Sequence, residues 1–227
     1  MHRIYMFFTK SRSCANILQN RFIYTKIMTK LSKIIITSLA ILSLTGCSLF
    51  SSDKTTSTTG TATSTNPNKV TYNASNFSIT VPRDWEILDG TKLLAGSPIS
   101  VVVAFKNNIK NKKFIANMNV SEYSTKGQKT TQEEMVKSMK DNFKNTLIDF
   151  IDSGDTKVNV NAGGTPTEAI LTTFSGKSDA IEDSKKFKQL YVENNNTAYI
   201  ITTSYSADED PEVVAKIEET INSFELK

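Results

Sequence analysis

Histidine and cysteine are almost absent from this sequence, and both absences exclude whole classes of chemistry. The 227 residues include a single histidine, His2, and two cysteines, Cys14 and Cys47. The chain after Cys47 therefore has no imidazole, no disulfide and no free thiol. Catalytic sets that combine Ser, His and Asp or Cys and His are excluded there. The sequence also has no phosphate-binding glycine loop, dinucleotide fingerprint or nucleophile elbow.

Acidic residues are absent from the first 46 positions, which hold seven of the 27 basic residues. Residues 47–227 keep 20 basic and 23 acidic residues, a net charge of −3. The overall charge of +4 therefore belongs to the N-terminal segment. We predict that residues 47–227 do not bind nucleic acid, because they have no basic excess to attract phosphates.

Apolar runs long enough to cross a bilayer are also lacking. The longest run, 34–45, has 12 residues, whereas a spanning helix needs about 20. This run follows Lys30 and Lys33, and its length is typical of the apolar region of a secretion signal, about 7–15 residues. We predict that residues 1–46 are a signal peptide. Met28 is the expected true start, since a signal that begins there has normal proportions.

The predicted signal ends in Leu44-Thr45-Gly46-Cys47, an aliphatic residue and two small residues before a cysteine. This motif resembles the lipobox of bacterial lipoproteins. The resemblance implies cleavage between Gly46 and Cys47 and a diacylglyceryl group, with acyl chains such as palmitate, on the Cys47 thiol. Two chains anchor stably where one is marginal, because each buried methylene contributes about 0.8 kcal/mol. We therefore expect a lipid-anchored protein of the cell membrane that lies outside the cytoplasm, at the cell surface or in the periplasm.

Apolar residues are scarce from 48 to 69, where 12 of 22 residues are Ser or Thr. Such a stretch buries too little apolar surface to offset the entropy of ordering it. We therefore predict that the lipidated Cys47 and the residues up to 69 form a flexible tether. The 158 residues from 70 to 227 are enough for one domain with a single core.

Two segments of this domain carry helix signals. The first begins at a capping box, Thr131-Gln-Glu-Glu134, after which apolar residues recur at helical spacing. The second begins with Asp210 as N-cap and Pro211 at the first helical position. The apolar faces comprise Met135, Val136, Met139, Phe143 and Leu147 in the first helix, and Val213, Val214, Ile217 and Ile221 in the second.

Strands are predicted where apolar and polar residues alternate or β-branched residues cluster. Turn residues in Asn161-Ala-Gly-Gly164 and Asn194-Asn-Asn196 join two pairs of strands as hairpins. Because hairpins dominate, we predict an α+β fold, in which a mainly antiparallel sheet packs against the two amphipathic helices as a sandwich. The main predicted strands cover 77–81, 99–105, 114–123, 152–160, 165–174, 187–193 and 197–205.

One motif carries a resemblance to a known family. The stretch Phe77-Ser-Ile-Thr-Val-Pro82-Arg-Asp-Trp85 resembles the opening strand of the PsbP/Mog1-like superfamily, whose exported bacterial members include DcrB-type and LpqN-type lipoproteins. The order of strands and helices and the ending Ile221-Asn-Ser-Phe224 are similar too. The resemblance implies the sandwich fold and a non-catalytic accessory or binding role. We expect no enzyme activity, no cofactor and no metal.

Five groups of residues are candidate ligand sites, and each has an ordinary structural explanation that the sequence favours. Trp85 either lines a ligand pocket or fills the edge of the core. The four lysines between 106 and 113 either bind anionic headgroups or wall polymer, or form a solvated loop. The aspartates suggest calcium, but their spacing of three does not match an EF-hand loop. The acidic run suggests a cation site, but the helix dipole already explains acidic residues at a helix N-terminus. The methionines form either an adaptable partner surface or part of the core. These groups are Trp85; Lys106, Lys110, Lys112 and Lys113; Asp149, Asp152 and Asp155 with Gly154; residues 208–212; and Met135 with Met139.

Three functions are compatible with these features. The leading hypothesis is a module, held at the membrane through Cys47, that binds an envelope protein or cell-wall component. A carrier of a small apolar ligand or lipid is the first alternative, and it predicts a cavity between sheet and helices. A histidine-free hydrolase that acts on wall glycans through two carboxylates is the other, although nothing in the sequence selects a pair.

Overall fold

The computed structural model of the chain describes residues 60–93, 97, 100–109, 114–127 and 130–227. These residues form eleven strands, two α-helices and one short 3₁₀ turn. The predicted signal peptide, the cleavage site at Gly46 and Cys47 itself lie outside the described residues. The elements are β1 (Thr61–Thr63), β2 (Lys69–Asn73), β3 (Phe77–Pro82), β4 (Trp85–Asp89), β5 (Val101–Asn107), β6 (Asn117–Ser124), α1 (Gln132–Thr146), β7 (Ile148–Ala162), β8 (Thr165–Lys177), β9 (Lys185–Asn194), β10 (Thr197–Ser206), α2 (Pro211–Asn222) and β11 (Glu225–Leu226).

All described strands belong to one sheet with the order β1-β2-β3-β11-β7-β8-β9-β10-β6-β5-β4. Every described pairing is antiparallel except that of β11 with β7, which is parallel. Two-residue turns close the hairpins at Gly163-Gly164 and Asn195-Asn196, all four with positive φ between 52° and 90°, as type I′ turns require. The prediction of an α+β fold with a mainly antiparallel sheet and two helices is confirmed.

The sheet curls, so that its first strands pack face to face on strands near its other end. The Tyr72 ring of β2 lies 5.9 Å from the Phe105 ring of β5, and the Phe77 ring of β3 lies 6.1 Å from the Tyr199 ring of β10. Helix α2 packs on β3 and β10 and begins as predicted, with the Asp210 carboxylate accepting a hydrogen bond from the Glu212 N–H at 2.9 Å. This side of the sheet holds the main apolar core.

Helix α1 covers the opposite face at β7, β8 and β9. Its predicted capping box is present: the Thr131 hydroxyl accepts a hydrogen bond from the Glu134 N–H at 3.2 Å, and the Glu134 carboxylate accepts one from the Thr131 N–H at 3.0 Å. The Phe143 ring stacks on Phe174 at 4.7 Å. Neither described helix is long and apolar enough to span a membrane.

Several element boundaries differ from the sequence prediction, and the main differences concern β1 and β7. Strand β1 lies inside the stretch predicted as tether, because the Gly60 N–H donates to the Tyr72 hydroxyl at 3.0 Å and aligns the chain with β2. Only a glycine fits there, since a Cβ on Gly60 would lie 2.3 Å from the Tyr72 ring. Strand β7 begins at Ile148 instead of residue 152. Its first residues escaped prediction because most of them are exposed and they show no sustained alternation of buried and exposed positions.

Candidate binding cleft

An open cleft with a volume of about 720 Å³ lies between the outer face of α1 and the first two thirds of β7. Its floor is apolar and its walls carry charges of both signs. The size falls within the range of small-molecule and peptide sites. The lining residues are Glu133, Val136, Lys137, Lys140, Asp141 and Lys144 from α1, Phe150, Asp152, Asp155, Thr156 and Lys157 from β7, and Ile170 from β8.

The helical period of α1 decides which of its side chains line the cleft. The apolar positions turn inwards and are buried, so residues one position away face outwards along the same helix. Lys137, Lys140 and Lys144, spaced by three and four residues, consequently form one row on the cleft wall. The helical spacing of the sequence predicts that Lys137, Lys140, Asp141 and Lys144 lie on the outer face of α1, but nothing in the sequence identifies the element that faces them.

A β-bulge shapes the opposite wall. The register of β7 against β8 shifts between Asp152 and Gly154, where one extra residue enters β7. Gly154 has φ +104°, a backbone conformation that side chains rarely adopt. Its N–H donates to the Asp152 carboxylate at 2.9 Å. As a result Asp152 and Asp155 both point towards α1.

Lys140 joins the two walls. Its ammonium group donates to both carboxylate oxygens of Asp155, at 3.0 and 3.1 Å, and also pairs with Asp152. Burial alone would lower the pKa of Lys140, but the hydrogen bonds and charges of the two aspartates outweigh burial and raise the pKa. Burial alone would raise the pKa of Asp152, but the hydrogen bonds from Lys140 and the Gly154 N–H outweigh burial and lower the pKa.

A second, more exposed ion pair lies at the end of the cleft. Lys157 contacts Glu168 at 2.8 Å and Glu133 at 3.3 Å. The hydrogen bond with Glu168 and then that with Glu133 raise the pKa of Lys157. Hydrogen bonding to its own backbone and then to Lys157 lowers the pKa of Glu133. Each of these shifts favours the charged form.

These directions bear on what the cleft can do chemically. A general acid at neutral pH needs a carboxyl with a raised pKa, and a general base or nucleophile needs a lysine with a lowered one. Every resolved shift in the cleft runs the other way. Burial does raise the pKa of Glu122, but Glu122 lies on β6 and does not line the cleft. The resolved ionisable groups of the cleft are therefore held in their charged forms.

Two lysines of the cleft remain available to a partner. Lys137 and Lys144 have no ion-pair partner among the described residues, whereas Lys140 and Lys157 each contact two carboxylates. Between them lies Asp141, so the unpaired groups of this wall carry a net charge of +1. Half-buried Phe150 and buried Ile170 and Val136 offer apolar contacts at the floor.

The aspartates considered for calcium are engaged in ion pairs with lysines. Asp152 and Asp155 meet at the Lys140 ammonium group, which supplies the cation that they neutralise. Asp149 instead pairs with Lys177 at 2.8 Å. Across the part of the chain that the structure describes, no three His, Cys, Asp or Glu side chains are grouped to hold a metal ion.

The other candidate residues take structural places. Met135 and Met139 are buried under α1, and Trp85 is buried in the main core. The acidic run 208–212 caps α2 through Asp210. Lys106 belongs to strand β5, not to a loop, because its neighbours pair with β6 in register. Its partners in the predicted lysine cluster, Lys110, Lys112 and Lys113, lie outside the described residues.

A buried polar row on the α1 side of the sheet was not predicted. The register aligns Thr172, Gln189, Thr202 and Asn119 across β8, β9, β10 and β6. The Gln189 amide donates to the Thr202 hydroxyl at 2.9 Å. Buried polar atoms in proteins nearly always have a partner, so this row departs from an ordinary dry core. Its buried atoms without a hydrogen-bond partner are Thr172 Oγ1, Gln189 Oε1 and Asn119 Oδ1. Two residues further along β6 and β9, the hydroxyl groups of Ser121 and Tyr191 are also buried without a partner.

No protein-family model and no curated protein sequence matches this chain. Solved structures similar to it include the Ran-binding protein Mog1p of Saccharomyces cerevisiae, at 12% identity and a TM-score of 0.47, covering 75% of this chain and 96% of that chain. The cyanobacterial PsbP of Synechocystis sp. PCC 6803 is similar at 14% identity and a TM-score of 0.47, covering 79% and 99%. LpqN of Mycobacterium tuberculosis, involved in cell envelope biogenesis, is similar at 11% identity and a TM-score of 0.48, covering 74% and 90%. These neighbours include Mog1 and PsbP proteins, the group that the motif ending in Trp85 resembles.

Proposed function

We propose that this chain is a lipoprotein, anchored outside the cytoplasm through Cys47, whose domain is a non-catalytic binding module with the α1–β7 cleft as its contact surface. The anchor is supported by the sequence 44–47 and the apolar run before it. The role of the cleft is supported by one observation above all. Lys140 and Lys157 each contact a carboxylate of the opposite wall, and the resolved pKa shifts of the cleft favour the charged forms, which suits recognition and not proton transfer.

The two alternative functions have weaker support from the same geometry. A carrier of an apolar ligand requires an enclosed apolar cavity, whereas the cleft is open and its walls are charged. A carboxylate hydrolase requires one carboxyl that stays protonated near neutral pH. Asp152 has a lowered pKa and shares Lys140 with Asp155, which is the opposite arrangement.

Site-specific photo-crosslinking in intact cells tests the proposed function. A photoreactive amino acid replaces Lys137 in one variant and Lys126 in a control variant; both lysines are exposed, but only Lys137 lines the cleft. We expect one reproducible adduct with an envelope protein or wall polymer from position 137 and none from position 126. Equal labelling from the two positions, or none from either, would contradict a binding role for the cleft.

A further inference from the structure

The outer edge of β7 is unpaired over most of its length. On one side β7 pairs with β8 from end to end. On the other side, in the described chain, only Asn161 and Ala162 are paired, with β11. The side chains before them are mostly exposed, and Ile151 is 62% exposed. Such an edge presents backbone donors and acceptors to which a further strand can pair.

The backbone hydrogen bonds identify which amides face this edge. The Gly163 N–H donates to the Leu226 carbonyl oxygen of β11 at 3.0 Å, so the amide of residue 163 faces the β11 side. Amides alternate between the two edges of a strand, and β7 runs against β8 without a register shift from Gly154 to Ala162. The outward N–H groups in the unpaired stretch are therefore those of Asp155, Lys157 and Asn159.

The length of the regular edge limits what can pair with it. Register shifts before Ile151 and at Asp152–Gly154 interrupt the first part of β7, and bulges of this kind discourage strand addition. The regular unpaired edge is thus confined to residues 155–160. It accommodates a strand of about six residues, about 20 Å long. A short segment fits this edge better than a long sheet-to-sheet contact.

The unpaired edge and the cleft belong to the same surface, because Asp155, Thr156 and Lys157 contribute to both. A strand added beside β7 would extend the floor of the cleft by one strand. Its α1-facing side chains would lie nearest to the α1 segment 133–140, because Glu133 contacts Lys157 and Lys140 contacts Asp155. The lysine of this segment without an ion-pair partner in the described chain is Lys137. Only a polypeptide offers backbone groups to satisfy the edge. The four lysines and four carboxylates of the lining balance, so the preference is local: the unpaired Lys137 favours an acidic side chain at the position that faces it.

We propose that the edge of β7 at residues 155–160 and the adjoining cleft bind an extended, acidic segment of a partner protein by strand addition. This inference rests on the proposed function, since it names the partner that the cleft would contact. Backbone hydrogen bonds to the outward amides supply the affinity. A carboxylate near Lys137, with aliphatic side chains beside it, supplies the preference for one segment over another.

Amide hydrogen exchange followed by NMR on the full-length protein, purified in detergent, tests the proposal directly. The probe is a terminally blocked hexapeptide of alternating valine and glutamate, added up to about 5 mM. We expect the amides of Lys157 and Asn159 to exchange rapidly without peptide. With peptide bound, their exchange slows at least about tenfold, while Thr156 and Val158, whose amides face β8, are protected throughout.

Two substitutions at one position separate the backbone effect from the side-chain effect. Asn159→Pro removes an outward N–H without breaking the β7–β8 ladder, because proline is tolerated on edge strands. Asn159→Ala removes the exposed side chain and keeps the N–H. We expect Asn159→Pro to weaken peptide binding about tenfold and Asn159→Ala to change it less than about twofold. A hexapeptide with lysine in place of glutamate should bind several times more weakly.

Several results would overturn the proposal. They include no saturable binding at 5 mM, equal binding by Asn159→Pro and Asn159→Ala, or a dimer of this chain that Asn159→Pro dissociates, which would make a second copy the occupant. A protease-resistant glycan adduct from position 137 would also overturn strand addition, yet it would leave the proposed binding function intact. Loss of every adduct from position 137 would instead count against the proposed function itself.

Discussion

Asp152 and Asp155 lie three residues apart in one strand, yet both carboxylates contact the ammonium group of Lys140. In a regular strand, residues an odd number apart point to opposite faces. The bulge between Asp152 and Gly154 inserts one residue and returns Asp155 to the face of Asp152. The backbone irregularity, and not the spacing of the carboxylates, thus determines that they hold a lysine from α1.

Replacing Lys140 should measure how strongly this contact joins α1 to β7. The Lys140 side chain is 15% exposed, so Lys140→Met is expected to lower the free energy of unfolding by about 1 kcal/mol, at the upper end for surface ion pairs. Lys157 also contacts two carboxylates but is 61% exposed, so Lys157→Met should have little effect. Urea unfolding at neutral pH compares them; equal losses would show that burial of Lys140 is unimportant.

The contribution of Lys140 should depend on pH in a defined direction. The pKa of Asp152 is lowered in the folded protein from its ordinary value of 3.8, so the pair stabilises the fold above that pH. Its contribution disappears as the pH falls through the lower, folded value. The difference between wild type and Lys140→Met in urea unfolding should therefore be constant near neutrality and shrink below about pH 4. An unchanged difference at pH 2 would contradict the pairing with Asp152.

Two buried threonines offer a matched test of the polar row. Thr172 and Thr203 are both 0% exposed, but the Thr172 hydroxyl has no partner, whereas Thr203 donates to the Lys188 carbonyl oxygen at 3.1 Å. Thr172→Val should raise the free energy of unfolding by about 1 kcal/mol because it removes an unsatisfied hydroxyl, and Thr203→Val should lower it by a similar amount. Chemical denaturation of both variants measures these changes. A loss of stability in both would mean that a buried water bonds to Thr172.

The Tyr72 phenol should lose its proton only at an unusually high pH. Burial is the largest cause that raises its pKa to about 12; the Gly60 N–H opposes burial, and the nearby Asp89 charge reinforces it. Since the unfolded phenol ionises near 10, stability should fall as the pH rises above 10. Phenolate absorbance should show a late-titrating component that is reduced in Tyr72→Phe. Complete titration of all tyrosines near pH 10 in the folded protein would contradict the burial of this ring.

Much of the fold could be predicted because local signals and tertiary packing agree. The capping box at Thr131 and Glu134 and the Asp210-Pro211 pair each mark a helix start through nearest-neighbour chemistry. The alternation from Phe77 to Val81 marks a strand because one face is buried, at 0–1% exposure for Phe77, Ile79 and Val81. Positive φ at Asn195 and Asn196 is likewise a local preference of the residues themselves.

The cleft could not be predicted, because it depends on contacts between distant elements. Nothing near Lys140 in the sequence indicates Asp155 as its partner, and the bulge that aligns the aspartates is stabilised by the Gly154 backbone. Strand β1 was missed for a similar reason. Its Ser/Thr-rich sequence predicts a tether, and only the contact of Gly60 with Tyr72 reveals that the sheet begins there.

The proposed location outside the cytoplasm depends on the lipid anchor at Cys47, and the mass of the protein extracted from its own membranes tests whether this anchor exists. The wild-type protein should begin at Cys47, lack residues 1–46 and carry the added mass of a diacylglyceryl group on that cysteine. Cys47→Ser should retain the preceding residues and carry no lipid. Wild-type protein found unprocessed and lipid-free, or Cys47→Ser found in the membrane with the same added mass, would contradict the account.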